Sequence, residues 1–154
     1  MKNLLVSIAL VATLGACGGA PQTQSVAAQP VSATSSGGSM VNAIRARAGL
    51  PALRRNAKLD RAALAHAKDM AANAFMSHRG SDGSDLRARV KRVGYRWCTL
   101  AENVARGHRS DASAIEGWRT SPGHYRNMVK RKAKDFGMAN VNGFRVLVVG
   151  ASRC

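Results

Sequence analysis

The chain has 154 residues and carries 24 Lys and Arg against 8 Asp and Glu, a formal net charge of +16. This length supports one folded core beside its terminal segments, not two. A cytosolic chain this basic would point to nucleic acid. However, no RNP-like aromatic pattern, recognition helix or zinc-finger spacing is present, which excludes specific nucleic-acid reading.

The N-terminal end is a targeting segment over residues 1–16. Lys2 supplies a small positive region, and residues 4–14 are a continuous apolar or small-residue run. That run is too short to span a bilayer as a helix. Leu14-Gly15-Ala16-Cys17 resembles a bacterial lipobox, in which the cysteine becomes the lipidated (palmitate-bearing) N-terminus after cleavage. The alternative is an ordinary secretory signal with Cys17 as a spare thiol. Gly18, rather than Asp, follows the cysteine, which favours the periplasmic side of the outer membrane in a Gram-negative cell. Residues 17–39 are uncharged and rich in Gly, Ala, Pro, Gln, Ser and Thr. This composition predicts a flexible tether and places the folded domain at residues 40–154. For an exported domain, the expected partners are the membrane, through Cys17, and anionic lipid or envelope polysaccharide, through the basic surface.

Residues 40–48 read as a helix with Val41, Ile44 and Ala48 on one face, ended by Gly49 and Pro51. Residues 59–75 give the strongest helical pattern: Leu59, Ala63, His66, Ala67, Met70 and Ala74 recur at three- and four-residue spacing. His66 lies inside that stripe and reads as a hydrogen-bonded core histidine. Residues 77–84 form a loop, and residues 85–93 a short helix stopped by Gly94. Residues 95–104 are β-prone. Ser110 is placed to cap a helix over 111–119. Ser121 and Pro122 then restart a helix as N-cap and first residue, with His124 in its first turn. There the positive end of the helix dipole would keep the imidazole neutral. Residues 136–141 and 144–151 are two strands joined by Asn142-Gly143, a strong hairpin signal. The run Val146 to Val149 is apolar on both faces, as in a central strand covered on both sides. The element order predicts an α+β fold: a three-layer α-β-α sandwich around a small, mainly antiparallel sheet.

Cys98 and Cys154 most simply form one disulfide in an oxidising compartment. A reactive Cys98 would need a reducing one.

Polar residues at element ends mark a candidate site. The chain has only two glutamates and four histidines, yet His78, Glu102 and His124 each interrupt a small or apolar stretch beside a turn. Two imidazoles and a carboxylate can move protons or hold a divalent cation, with zinc the first choice. Glu102 in an extended apolar run needs a partner, either a histidine or an arginine. Glu116, two residues before Trp118, reads as an exposed helix glutamate and is a further candidate for the site. No Gly-x-Ser-x-Gly, His-Glu-x-x-His or Cys-x-x-Cys hydrolase or redox motif occurs.

Five pieces in order resemble the CAP superfamily, the cysteine-rich secretory, antigen 5 and pathogenesis-related 1 proteins, in its short bacterial form. They are Leu59-Asp-Arg-Ala-Ala-Leu-Ala-His-Ala-Lys-Asp-Met-Ala with Phe75-Met-Ser-His78; Arg89 before Gly94-Tyr95; Ala101-Glu-Asn-Val; and Trp118-Arg-Thr-Ser-Pro-Gly-His124-Tyr-Arg-Asn-Met128. The resemblance implies an α-β-α sandwich whose central cleft holds two histidines and one or two glutamates, with zinc or another divalent ion in some members. It carries over to His78, Glu102 and His124. Where eukaryotic members place a second glutamate after the tryptophan, this chain has Ser121, and Glu116 is the remaining candidate. The expected function is an envelope-anchored protein binding a ligand in its cleft. The alternatives are a metal-dependent, protease-like hydrolase using His78, Glu102 and His124, and a structural envelope component with no ligand.

Overall fold

The computed structural model describes residues 34–154; Cys17 and the signal segment lie outside the described residues. The first helix, α1 (Thr34–Arg47), begins earlier than Met40 and takes in a Ser/Gly run that composition assigned to the tether. Packing overrides propensity there. Gly37 lies against the Met138 sulfur and Gly38 against the Phe136 ring, so closely that neither position has room for a Cβ.

After α1 come β1 (Arg54–Arg55), α2 (Ala57–Ala72), α3 (Leu86–Arg92), β2 (Thr99–Ala105), α4 (Asp111–Thr120), α5 (Pro122–Met128), β3 (Asp135–Val141) and β4 (Phe144–Ala151). The sheet order is β1-β3-β4-β2. The β1–β3 pair is parallel, and the β3–β4 and β4–β2 pairs are antiparallel. Two-residue β1 is too short to leave a periodic signal, and sequence reading missed it. The hairpin stands where it was expected: Asn142 and Gly143 adopt φ of 49° and 84°, the pair of positive values a type I′ turn requires. Helix α2 ends before Phe75 because Asn73 turns back to the Asp69 carbonyl and Ala74 takes a left-handed φ of 54°.

Strand alternation sorts the core into two layers. Leu147 and Val149 of β4, with Phe136 and Met138 of β3, pack beneath α1, α4 and α5 around Ile115, Trp118 and Met128. Val146 and Val148 face the other way, against Leu59, Ala63, Ala67 and Met70 of α2. Burying a side chain of this size contributes roughly 1.5–3 kcal/mol. Gly137 lets α2 approach the sheet: a Cβ there would collide with the Leu59 and Asp60 backbone.

A buried arginine ties the α1 layer together. Arg45 is fully buried. It donates to the Pro51 carbonyl at 2.9 Å, to those of Met128 and Lys130 at 3.0 and 3.1 Å, and to that of Ala133 at 3.4 Å. These acceptors include the carbonyls left open where α5 ends. The Cys98–Cys154 disulfide is formed, with a Cα–Cα distance of 5.8 Å.

Candidate functional site

Edge strand β2 organises the site. Its alternation turns Glu102 and Val104 toward the α2–α3 layer, and Asn103 and Ala105 toward α4 and α5. The Glu102 side chain is 3 % exposed and meets the 5 % exposed side chain of Arg89 from α3. Arg89 Nη2 donates to Glu102 Oε1 at 3.0 Å and Oε2 at 2.8 Å. The other arm of the guanidinium, Nη1, donates to the carbonyls of Ser84 at 3.0 Å and His78 at 3.1 Å. One arginine therefore holds the Glu102 carboxylate and the backbone of the loop that presents His78.

His78 closes this chain of contacts. Its Nδ1 lies 2.9 Å from Glu102 Oε1. A carboxylate only accepts, so Nδ1 carries a proton and donates, and in the neutral ring Nε2 is the lone-pair nitrogen. The hydrogen bond to Glu102 raises the His78 pKa above its ordinary 6.5, against a smaller opposing effect of burial. The imidazole is 60 % exposed while its carboxylate partner is buried.

His124 enters from the opposite layer. It stands at the third position of α5, as expected, but Ser121 does not cap that helix with its side chain. Instead Ser121 Oγ lies 2.9 Å from His124 Nδ1. Burial first, and the His78 charge second, push the His124 pKa down from 6.5. Desolvation and the neighbouring imidazole thus act in the direction expected from its place in the first turn of α5. Two asparagines that sequence reading did not single out hold α5 in place. Asn103 Nδ2 donates to the His124 carbonyl at 3.1 Å, and Asn127 Nδ2 donates to the Glu102 carbonyl at 3.0 Å and to Asn103 Oδ1 at 2.9 Å. Their signal was available: Asn103 follows Glu102 directly, and Asn127 lies one helical turn past His124.

The remaining candidates fall elsewhere. His66 is fully buried and bonds the Ser77 carbonyl through Nε2 at 2.8 Å, which supports the loop carrying His78. Burial pushes its pKa down. No hydrogen bond or ion pair among the described residues joins Glu116 to this group. Its exposed carboxylate pairs with Arg119 at 2.7 Å on the same helix, and Arg47 of α1 is its other cationic neighbour. Arg89 was noted in the sequence only as part of a motif; the structure makes it the hub.

The cleft beside His78 and Glu102 has a volume of about 320 Å³, with Leu86 and Leu100 as apolar walls and Asp85 and Arg87 at its polar rim. Glu102 already accepts from Arg89 and His78, so the donors left for a divalent cation are the His78 imidazole in the cleft lining and, outside that lining, the His124 imidazole. That is fewer than the three protein ligands of a catalytic zinc site. Among the described residues, no group of three or more His, Cys, Asp or Glu is placed to hold a metal ion.

A family model, the cysteine-rich secretory protein (CAP) family, matches residues 39–147. The chain belongs to the CAP family. The relatives of this CAP chain include the uncharacterized protein YkwD of Bacillus subtilis strain 168, 26 % identical over 102 residues, 66 % of this chain and 40 % of that protein. The uncharacterized membrane protein YlbC of the same organism is 29 % identical over 85 residues, covering 55 % of this chain and 25 % of that one. The CAP chain thus spans less than half the length of either. Among solved structures, an extracellular protein containing an SCP domain from Bacillus anthracis str. Ames superposes with a TM-score of 0.74 at 27 % identity, over 75 % of this chain and 39 % of that one. An outer surface protein of Borrelia burgdorferi gives 0.67 at 18 %, over 75 % and 88 % of the two chains. At that identity the likeness is one of fold alone. The α+β sandwich expected from the sequence is the fold of these neighbours.

Proposed function

We propose that this CAP-domain protein is exported, is held at the cell envelope through lipidated Cys17, and uses its His78–His124 cleft to bind a segment of an envelope polymer. The signal-like residues 1–16, the Cys98–Cys154 disulfide and the extracellular SCP-domain neighbour support export. One observation carries the cleft reading: the Arg89–Glu102–His78 chain fixes one imidazole tautomer and leaves Nε2 as an acceptor at the cleft. An oriented acceptor, a polar rim of Asp85 and Arg87 and two leucine walls suit a ligand with hydroxyl or amide groups on an apolar frame, as saccharide and peptide segments have. Glu102 acts as the group that positions His78.

The test is retention of the purified, disulfide-bonded protein on insoluble envelope polysaccharide, beside the His78→Ala/His124→Ala variant. The reading expects at least about a tenfold loss of affinity in a variant that keeps its far-ultraviolet spectrum and Tm. Equal retention by both proteins would refute it, and loss of folding in the double variant would make the histidines structural.

The second reading is a metal-dependent hydrolase, favoured by the His78 imidazole lying near enough to His124 to push its pKa down. Zinc titration of the metal-free protein decides it. Micromolar binding lost in the folded double variant supports a two-histidine centre completed by water or substrate. Absence of binding removes it.

A further inference from the structure

A second cavity lies away from the histidines, beside strand β1. It has a volume of about 510 Å³, and Arg54, Arg55, Lys58 and Arg96 line it over a floor of Tyr95 and Asp135. Asp135 is the one acidic residue in this lining and is itself buried. Its oxygens are already engaged, Oδ2 by the Tyr95 hydroxyl at 2.9 Å and Oδ1 by Arg54 Nη2 at 3.3 Å. Four cations thus face one committed carboxylate.

Three of the four cations are held in place by different parts of the fold. Lys58 Nζ donates to the Gly94 carbonyl at 2.8 Å, which draws the ammonium across the rim. Arg55 Nε donates to Asp60 Oδ2 at 2.9 Å, and Arg54 is set by Asp135. Arg96 lies two residues from Cys98, and Ser152 of the opposite wall two residues from Cys154; the disulfide fastens these walls together. Gathering like charges is unfavourable for the protein alone, and the cost is relieved by an anion. Arginine's planar fork suits the paired oxygens of a phosphate, and a lysine adds a point charge. The positive end of α2 opens on the same side and adds to the field.

We propose that this cleft is a binding site for a phosphate-bearing anion, separate from the His78–His124 cleft. It owes nothing to the histidines, so neither assignment depends on the other.

The experiment is calorimetric titration of inorganic pyrophosphate into the disulfide-bonded protein at fixed low salt. Three variants accompany it: Arg96→Gln, Arg54→Gln/Arg96→Gln, and the charge-matched control Lys68→Gln/Arg126→Gln on exposed parts of α2 and α5. Arg96 makes no hydrogen bond or ion pair among the described residues, so its replacement leaves the fold intact and keeps the test valid if Arg54→Gln destabilises. A fall in affinity of about threefold to tenfold for Arg96→Gln, deeper in the double variant and under about twofold in the control, supports the site. Equal losses in the double variant and the control would show attraction by net charge alone and overturn it, as would no binding by the parent protein. Cosedimentation with phosphatidylglycerol vesicles, against phosphatidylcholine alone, identifies the source. Binding that pyrophosphate displaces assigns the phosphate to a lipid headgroup; pyrophosphate binding without vesicle binding assigns it to a soluble compound.

Discussion

Arg89 and Glu102 meet through two hydrogen bonds of 2.8 and 3.0 Å, both side chains almost wholly out of water. The pair joins α3 to edge strand β2 and gives a buried carboxylate a buried cationic partner. It also orients His78, so the fold and the site share one contact. Removing one partner strands a buried charge, which costs about 3–5 kcal/mol. Arg89→Met and Glu102→Leu should each lower unfolding free energy by that order in urea, and the double variant should recover most of the loss. Additive losses would show that the pair is not coupled.

Arg45 makes a comparable structural contribution without any acid. Arg45→Met keeps the bulk but leaves the carbonyls of Pro51, Met128, Lys130 and Ala133 without this donor. A loss of at least about 3 kcal/mol is expected in the same urea measurement, with a concentration midpoint shift and no change of slope.

Asn127 is a positioning residue. Asn127→Ala removes two of the three side-chain hydrogen bonds that fasten α5 to β2. The expected result is a loss of about 1–3 kcal/mol, with the His124 imidazole titration moved toward its ordinary value while that of His78 stays in place. A stability loss that leaves both titrations untouched would make Asn127 merely structural.

Burial of His66 sets a pH dependence. Its folded pKa, like that of His124, lies below 6.5, so between the two values the unfolded chain binds more protons. The associated stability is complete above 6.5 and is lost as pH falls through the folded values. His78 has the opposite sign: its contribution is complete below 6.5 and is lost as pH rises through its raised folded value, but it is largely solvent-screened. Stability should therefore fall from about pH 7.5 to about pH 5.5. His66→Gln, which retains a donor for the Ser77 carbonyl, should flatten that slope; an unchanged slope would contradict the assignment.

Much of this was legible in the sequence because local signals agreed with the tertiary solution. Asn142-Gly143 marked the hairpin, Ser110 caps α4 through a reciprocal bond with Ser113, and the apolar run Val146 to Val149 lies in a strand covered on both faces. The need of Glu102 for a partner was readable from its setting, but the choice between histidine and arginine was not. The answer is both, because Arg89 comes from a separate helix that only the folded chain brings near. The start of α1 was hidden because Gly37 and Gly38 have no helical preference and are ordered by Phe136 and Met138, far along the chain. The cationic cleft was equally hidden: its residues come from β1, α2, the segment before β2 and the C-terminal end, and no motif joins them.

The proposed function requires His78 and His124 to serve one cleft, with His78 oriented by Glu102. Long-range proton–nitrogen NMR titration of the imidazoles tests it most directly, in the parent protein and in Glu102→Gln and His78→Asn. The expected result is a His78 midpoint above 6.5 and a His124 midpoint below it. His78 should drop toward the ordinary value in Glu102→Gln, and His124 should rise in His78→Asn. Two midpoints at the ordinary value, or a His124 midpoint indifferent to the loss of His78, would contradict it.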